Sequence, residues 1–243
     1  MQPFCRGRFI ARLSRTDDDL RRAQGLRALA FLRRDGAEDS DTFDAICHHV
    51  LVEHAGTGTL VCCFRLLPLR SGAEIGRSYA AQHYDLTGLE GFRDPMVEVG
   101  RFCIHPDWHD ADILRIAWGM MACVVQQTGA GMLFGCSSFM GTDPAPYHAA
   151  FALLKARHLA PAQWLPGRQA PDVYPFAQIE LRPDARRAMR AMPPLLKSYL
   201  ALGAWVSDHA VVDRQMNTLH VFTGLQIRSI PPARARLLRA LAG

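Results

Sequence analysis

The stretch Met96 to Pro106, MVEVGRFCIHP, constrains the fold most. Its alternating Val, Phe, Cys and Ile positions predict a central, largely buried strand. Within it stand Glu98 and Arg101, two charges that a buried strand accepts only when they are paired or used. Gly100 lies between them, and a glycine inside a strand marks a bulge or a close approach of backbone. In a regular strand Glu98 and Arg101 would point to opposite faces. One bulged residue at Gly100 would bring them to the same face and free a backbone N–H for a ligand. The pattern alone leaves two readings open, a buried ion pair and a reactive pair.

The elements around this strand are mixed. Arg8 to Leu13 predicts a short strand, and Thr16 before DDDL, with Asp19 three residues on, has the pattern of a capped helix start. That helix is expected to run to about Arg33 with Leu20, Ala23, Leu26 and Ala30 as its apolar stripe, and with Arg27 and Phe31 one turn apart. Asp35 to Asp44 lacks apolar periodicity and reads as an acidic loop carrying Asp39, Asp41 and Asp44. His49 to Glu53 and Leu60 to Leu67 read as a hairpin across HAGTG, with Arg65 near the end of its second strand. A short helix is expected near Ser78 to Tyr84. ILRIAWGMMACVV, in a helix from about Asp110 to Gln127, is apolar nearly all round and therefore buried. A strand at Met132 to Ser137 and a helix from Tyr147 to about Arg157 come next. Phe176 to Arg182 and Thr218 to Arg228 have strand character, and Leu195 to Trp205 suits a short amphipathic helix. The order of elements is α/β, of the α+β kind, with a mostly antiparallel sheet, read as a single domain over residues 1–243.

Composition narrows the classes. With 49% hydrophobic and 21% charged residues the 243-residue chain is an ordinary globular protein. No apolar run reaches the roughly 18 residues needed to span a bilayer, and MQPFCRGRFIARL lacks a signal-peptide core, so a cytoplasmic protein is expected. The seven cysteines form an odd set without CxxC spacing and read as reduced core residues. Pro106 separates His105 from a helical HxxxH pairing with His109, and no metal site is expected. A net charge of +5, concentrated in Arg33-Arg34, Arg186-Arg187-Arg190 and the C-terminal Arg234, Arg236 and Arg239, suits an anionic partner. The chain shows neither a helix-turn-helix signature nor an aromatic stacking motif, which argues against nucleic acid.

The order strand, helix, hairpin, central strand, helix, strand, helix resembles the GNAT acyltransferase fold. Within it, Arg27 with Phe31, Asp41 with Asp44, Arg65, and Glu98 with Arg101 resemble the signature of the acyl-homoserine-lactone autoinducer synthases. A longer resemblance runs from about Arg8 to Ile230. FDAICHHVLV, the FRLL strand end, EVGRFCIHP, LFGCSSFMGTDP, and PPLLKSYLALGAWVSDHAVVD followed by MNTLHV are similar to the bacterial ornithine-lipid N-acyltransferases. Cys62-Cys63 stands where a Gly-Thr pair is common in that family, and the stretch Trp108 to Ala111 is less basic than usual.

The resemblance implies transfer of a 3-hydroxyacyl group from acyl carrier protein to the α-amine of ornithine, giving lyso-ornithine lipid, with glutamine as the alternative acceptor in close relatives. The donor is then 3-hydroxyacyl-phosphopantetheine on the carrier protein, with no bound cofactor. HPDWHDADILRIAWG, which lacks the glycine-rich pyrophosphate turn of acetyl-CoA users, fits such a donor. Glu98 is the implied proton acceptor, Gly100 the bulge, and Arg65 and Arg101 the partners of a substrate carboxylate or of the acidic loop. Asp41 and Asp44 either bind substrate amine or pair with Arg27 and Arg101. Phe102, Trp118 and Met121 are candidates for the acyl channel. A family-specific extension is expected from about residue 185. Leu195 to Trp205 and the basic C-terminal segment offer a possible peripheral membrane contact.

Overall fold

The computed structural model describes residues 2–180, 182 and 184–242, with Arg239 to Ala242 described by backbone alone. In chain order the strands are β1 (Phe4–Arg6), β2 (Phe9–Leu13), β3 (His48–His54), β4 (Leu60–Leu69), β5 (Tyr84–Asp85), β6 (Met96–Ile104), β7 (Met132–Met140), β8 (Gly167–Arg168), β9 (Val173–Tyr174), β10 (Trp205–Val206), β11 (Ala210–Asp213) and β12 (Thr218–Gln226). The helices are α1 (Asp17–Arg27), α2 (Ala111–Thr128), α3 (His148–Arg157), α4 (Ala185–Ala191), α5 (Pro194–Ala201) and α6 (Pro232–Ala242). This is the mixed α/β class with mostly antiparallel strands that the sequence predicts. The chain forms two compact units, one from residues up to Pro68, Val97–Ala130 and Pro232 onward, the other from Leu69–Met96 and Gly131–Pro231.

In the first unit the strand order is β1-β2-β3-β4-β6. The hairpin of β3 and β4 sets Leu51 opposite Cys63 and His49 opposite Arg65, so all four project from one face. Helix α1 covers that face: Ala23 and Leu26 pack with Leu51, Leu60, Cys63 and Cys103. The helix starts where Thr16 accepts the Asp19 amide at 3.1 Å, with three aspartates in the first turn opposing the helix dipole. Its end departs from the expected uninterrupted helix. Regular α geometry stops at Arg27, a wider π-helical turn covers Ala28–Leu32, and Arg33 closes it with φ 55°. Helix α2 buries Ile113, Ile116, Trp118, Met120, Met121 and Val124, in keeping with its apolar circumference, and packs on β1, β2, β3 and α6.

The second unit is built on β7-β12-β11-β9, with β10 also paired to β12 and β5 pairing separately with β8. Strands β7 and β12 pair from Thr218–Met140 to Gln226–Met132. A side chain at Gly224 would overlap the Trp205 ring, its Cβ falling 2.5 Å from two ring carbons. Phe139, Phe151, Phe176, Leu196 and Val221 form an aromatic-rich core. Two expected elements differ here. The helix near Ser78 to Tyr84 is instead two 3-10 turns, Gly72–Arg77 and Ala80–Gln82. The strand expected over Phe176 to Arg182 is a single 3-10 turn at Phe176–Gln178, with Leu181 outside the described residues. Pro175 accounts for the change: its carbonyl takes the Gln178 amide at 2.9 Å, and Phe176 turns into the core. A polar knot joins β5 to β12 in this unit, where the Tyr84 hydroxyl donates to the His220 carbonyl at 2.7 Å.

Candidate active site

Arg27, Asp41, Asp44, Arg65 and Arg101, singled out by the family resemblance, converge in the first unit on one closed ring. Arg27 of α1 donates through Nη1 to Asp44 Oδ1 at 2.7 Å. Asp44 accepts from Arg65 of β4 at 2.9 Å, and Arg65 reaches Asp41 at 2.6 and 2.9 Å. Asp41 pairs with Arg101 of β6 at 3.2 Å, Arg101 with Asp39 at 3.1 Å, and Asp39 returns to Arg27 at 2.9 Å. Three arginines and three aspartates thus alternate around a circuit in which every charge has an opposite charge on either side. Taking such charges out of water is costly unless each is matched, and the alternation supplies the match.

The loop after α1 is shaped to deliver the acids. Asp41 and Asp44 form a reciprocal cap on the 3-10 turn Thr42–Ala45, Asp41 accepting from the Phe43 amide at 2.9 Å and Asp44 from the Asp41 amide at 3.4 Å. Gln24 donates to Asp44 at 2.9 Å, and His49 Nε2 meets the Asp44 carbonyl at 3.0 Å. Phe43 lies 5.3 Å beneath the Arg65 guanidinium, a cation–π contact. Each oxygen of Asp41 and Asp44 therefore already has a donor. Both acids are paired with arginine in this structure.

Access differs around the ring. The side chains of Arg27, Arg65 and Asp44 are 1%, 3% and 6% exposed, whereas Arg101 is 13% and Asp41 22% exposed. The Asp41–Arg101 edge is the open one. Asp39, buried and bridging Arg27 to Arg101, belongs to the ring although spacing had not tied it to the site.

The backbone of β6 is irregular beside Gly100. The positive φ falls on Arg101, at 50°, and not on Gly100. A left-handed step at a residue with a side chain costs about 1–2 kcal/mol, so the surroundings must hold it there. Gly100 serves another purpose. A methyl at this position would lie 3.4 Å from Arg65 Nε and 3.6 Å from Arg65 Cγ, ordinary contacts, so glycine leaves space beside the ring without being forced by backbone geometry.

Glu98, 4% exposed, shares this environment. Burial pushes the Cys47 thiol up to about 12, with Arg65 opposing and Glu98, Asp41 and Asp44 assisting. Glu98 of β6 thus acts on the same neighbourhood as Arg65, Asp41 and Asp44, and Cys47 stays a neutral thiol there. Burial works against the charges of Asp44 and Asp41, yet hydrogen bonds from Arg27 and Gln24 to the first and from Arg65 to the second hold both below the usual carboxylate range. Burial likewise opposes the Arg27 cation, and Asp44 and Asp39 more than offset it. Burial pushes His49 below the ordinary imidazole range.

The remaining residues of interest lie beside the ring. Phe31 packs on the Leu51–Cys63–Cys103 cluster below it. Phe102, half-buried, stacks on Phe64 with ring centres 5.5 Å apart. Trp118 and Met121 are 7% and 1% exposed on α2. Leu196, Tyr199 and Trp205 are buried, so the segment Leu195 to Trp205 spends its apolar face on the core. Leu237 of α6 is 57% exposed, while the side chain of Arg239 lies outside the described residues. No helix among the described residues is long and apolar enough to cross a membrane.

Residues 25–119, which hold the whole ring and Glu98, match the family described as acetyltransferase (GNAT) domain. The fold is similar to that of an N-acyl amino acid synthase from uncultured soil microbes, with a TM-score of 0.53 at 11% identity over 91% of this chain and 93% of that one. A CoA-dependent acyl-homoserine lactone synthase solved with S-adenosylmethionine and isopentyl-CoA is similar at a TM-score of 0.50 and 12% identity, over 94% of this chain and 83% of that one. In sequence, the L-ornithine N(alpha)-acyltransferase of Rhodobacter capsulatus is 35% identical over 226 residues, 86% of either chain. The enzyme of the same name from Agrobacterium fabrum is 30% identical over 92% of this chain and 83% of its own. With identity of that level sustained across most of its length, this chain belongs to the L-ornithine N(alpha)-acyltransferase family of GNAT acyltransferases.

Proposed function

We propose that the protein transfers a 3-hydroxyacyl group from acyl carrier protein to the α-amine of ornithine, the product being lyso-ornithine lipid. The observation that carries this reading is the 35% identity, over 86% of the chain, to an enzyme named for ornithine Nα-acylation. The donor is 3-hydroxyacyl-phosphopantetheine, and the carrier protein, being acidic, is complementary to a chain of net charge +5.

The chemistry is aminolysis of a thioester. An α-amine is largely protonated near neutral pH and attacks only after losing a proton. Glu98, buried next to the ring, accepts that proton, directly or through one water. The amine nitrogen then bonds to the thioester carbon, the carbonyl oxygen takes the negative charge, and backbone N–H at the irregular step of β6 stabilises it. Collapse breaks the C–S bond, and the second amine proton goes to the departing thiolate. The open Asp41–Arg101 edge meets the amino acid, while Arg27, Arg65 and Asp44 fix that edge from the buried side. Phe102 and the apolar flank of α2 at Trp118 and Met121 accommodate the acyl chain. Leu237 with Arg234 and Arg236 on α6 supplies a peripheral contact for the anionic membrane that receives the product.

Purified protein, a 3-hydroxyacyl carrier protein and a panel of ornithine, glutamine and S-adenosylmethionine, read by mass spectrometry, tests the proposal. Acyl-ornithine as the main product supports it. Acyl-glutamine or an acyl-homoserine lactone in its place overturns the acceptor assignment.

A further inference from the structure

The geometry assigns to Asp39 the role of positioning residue for Arg101, and through Arg101 for the left-handed step in β6. The kinetic half of this inference rests on the acyl-transfer reading, and the structural half does not.

Asp39 is fixed before it meets β6. Its amide donates to the Gln24 carbonyl at 3.1 Å, and its own carbonyl accepts from Arg27 Nη2, so both backbone groups are tied to α1. Its side chain brings both arginines to one point, since a single oxygen, Oδ2, lies 2.9 Å from Arg27 Nε and 3.1 Å from Arg101 Nε. The acid is buried.

Arg101 needs such a restraint because its φ of 50° is unfavourable for a residue with a side chain. Its other ring partner, Asp41, is committed elsewhere. Asp41 engages Arg65 with both oxygens at 2.6 and 2.9 Å and accepts from Arg101 Nη2 at 3.2 Å through one of them, while Asp39 meets Arg101 Nε as an ion pair at 3.1 Å. Asp41 also sits on the more exposed edge of the ring, at 22% exposure against 10% for Asp39. Asp39 is thus the rigid tie between α1 and the guanidinium whose backbone carries the irregular step. It acts on the reaction only through Arg101 and contacts no reacting group.

The test compares Asp39→Asn with Asp19→Asn, a substitution in a second buried ion pair of the same unit, where Asp19 binds Arg12 at 2.6 Å away from the ring. For the full-length protein, Asp39→Asn is expected to lower kcat about 10- to 100-fold, with the KM for ornithine within about threefold of wild type. The backbone amide resonances of residues 100–102 are expected to shift. Asp19→Asn should do neither, even with a similar loss of melting temperature. In an Arg101→Lys background Asp39→Asn should cost less than about threefold, because the two act in series. If Asp39→Asn does not fold, Asp39→Glu, which keeps the charge and moves the oxygen, carries the same expectation. Unshifted amides at 100–102, or an undiminished effect in the Arg101→Lys background, would overturn the inference. Wild-type protein that makes no acyl-ornithine would overturn the functional reading instead, leaving the amide shifts to decide the positioning role.

Discussion

Arg27 donates to both carboxylate oxygens of Asp44, at 2.7 and 2.9 Å, from a side chain that is 1% exposed. This two-pronged contact ties the last turn of α1 to the acidic loop, and no other cation geometry reproduces it. Arg27→Met would leave Asp39 and Asp44 short of a partner in a buried site, at a cost of about 3–5 kcal/mol. Arg27→Lys retains the charge but not the fork, and should recover only part of that loss. Urea unfolding of the two variants beside wild type measures the difference.

The ring also sets a pH limit. Asp44 and Asp41 are held below the ordinary carboxylate value of 3.8 in the folded protein, by Arg27 and Gln24 and by Arg65 against the opposing effect of burial. As pH falls, the unfolded chain takes up protons first, so stability present above about pH 4 is lost on further acidification. Melting temperature should fall steeply below that point. Asp44→Asn, less stable at neutral pH, should show a flatter decline.

A second, milder acid limb originates in the other unit. Burial pushes His220 down to about 3 from an ordinary 6.5, with His83 and His209 adding to the effect. A neutral folded-state histidine loses ground once the unfolded one protonates, so the decline begins near pH 6.5 and continues towards 3. His220→Gln should reduce the slope between pH 6 and 4. An unchanged slope in that window would assign the limb to His49 or His158, which burial shifts the same way.

Glu98→Gln keeps size and hydrogen-bonding capacity while removing the proton acceptor. Turnover should fall about 10²- to 10⁴-fold with the fold intact by circular dichroism. Near-normal turnover in this variant would place the base elsewhere.

Gly100→Ala separates packing from chemistry. The added methyl meets Arg65 at ordinary contact distances and the backbone has no positive φ to forbid it, so the variant should be as stable as wild type or better by about 0.4–1 kcal/mol. Activity should nevertheless drop at least about tenfold, because the methyl occupies the space that glycine leaves beside Arg65. A thermal melt paired with the acyl-transfer assay reads both effects.

Much of this was legible in the residues because charges inside apolar strands stand out. Arg65 among FRLL, and Glu98 and Arg101 inside MVEVGRFCI, have no inexpensive fate in a sheet other than pairing or use. It took the resemblance to the acyl-homoserine-lactone synthases to join them to Arg27, Asp41 and Asp44, the set that the structure closes into a ring. Asp39 escaped notice because the acidic loop has no periodicity, and nothing local tells a buried aspartate from Asp35 or Glu38, which stay exposed. What selects Asp39 is tertiary, the clamp of its backbone onto Gln24 and Arg27. Glycine is the default where φ is positive, yet in β6 the positive φ falls on Arg101, next to Gly100, which the residue types alone do not indicate. The strand expected after Tyr174 failed on Pro175, whose effect on the next residues outweighed their β-forming side chains.

Helix α6 packs on α2 within the first unit, although more than a hundred residues of chain separate them. On the ribosome, every strand of that unit emerges before α6 does, and α2 waits with one flank uncovered while residues 131–231 are synthesised. A nascent chain released before Pro232 would lack the helix that covers α2, leaving the ring's own unit the unfinished one.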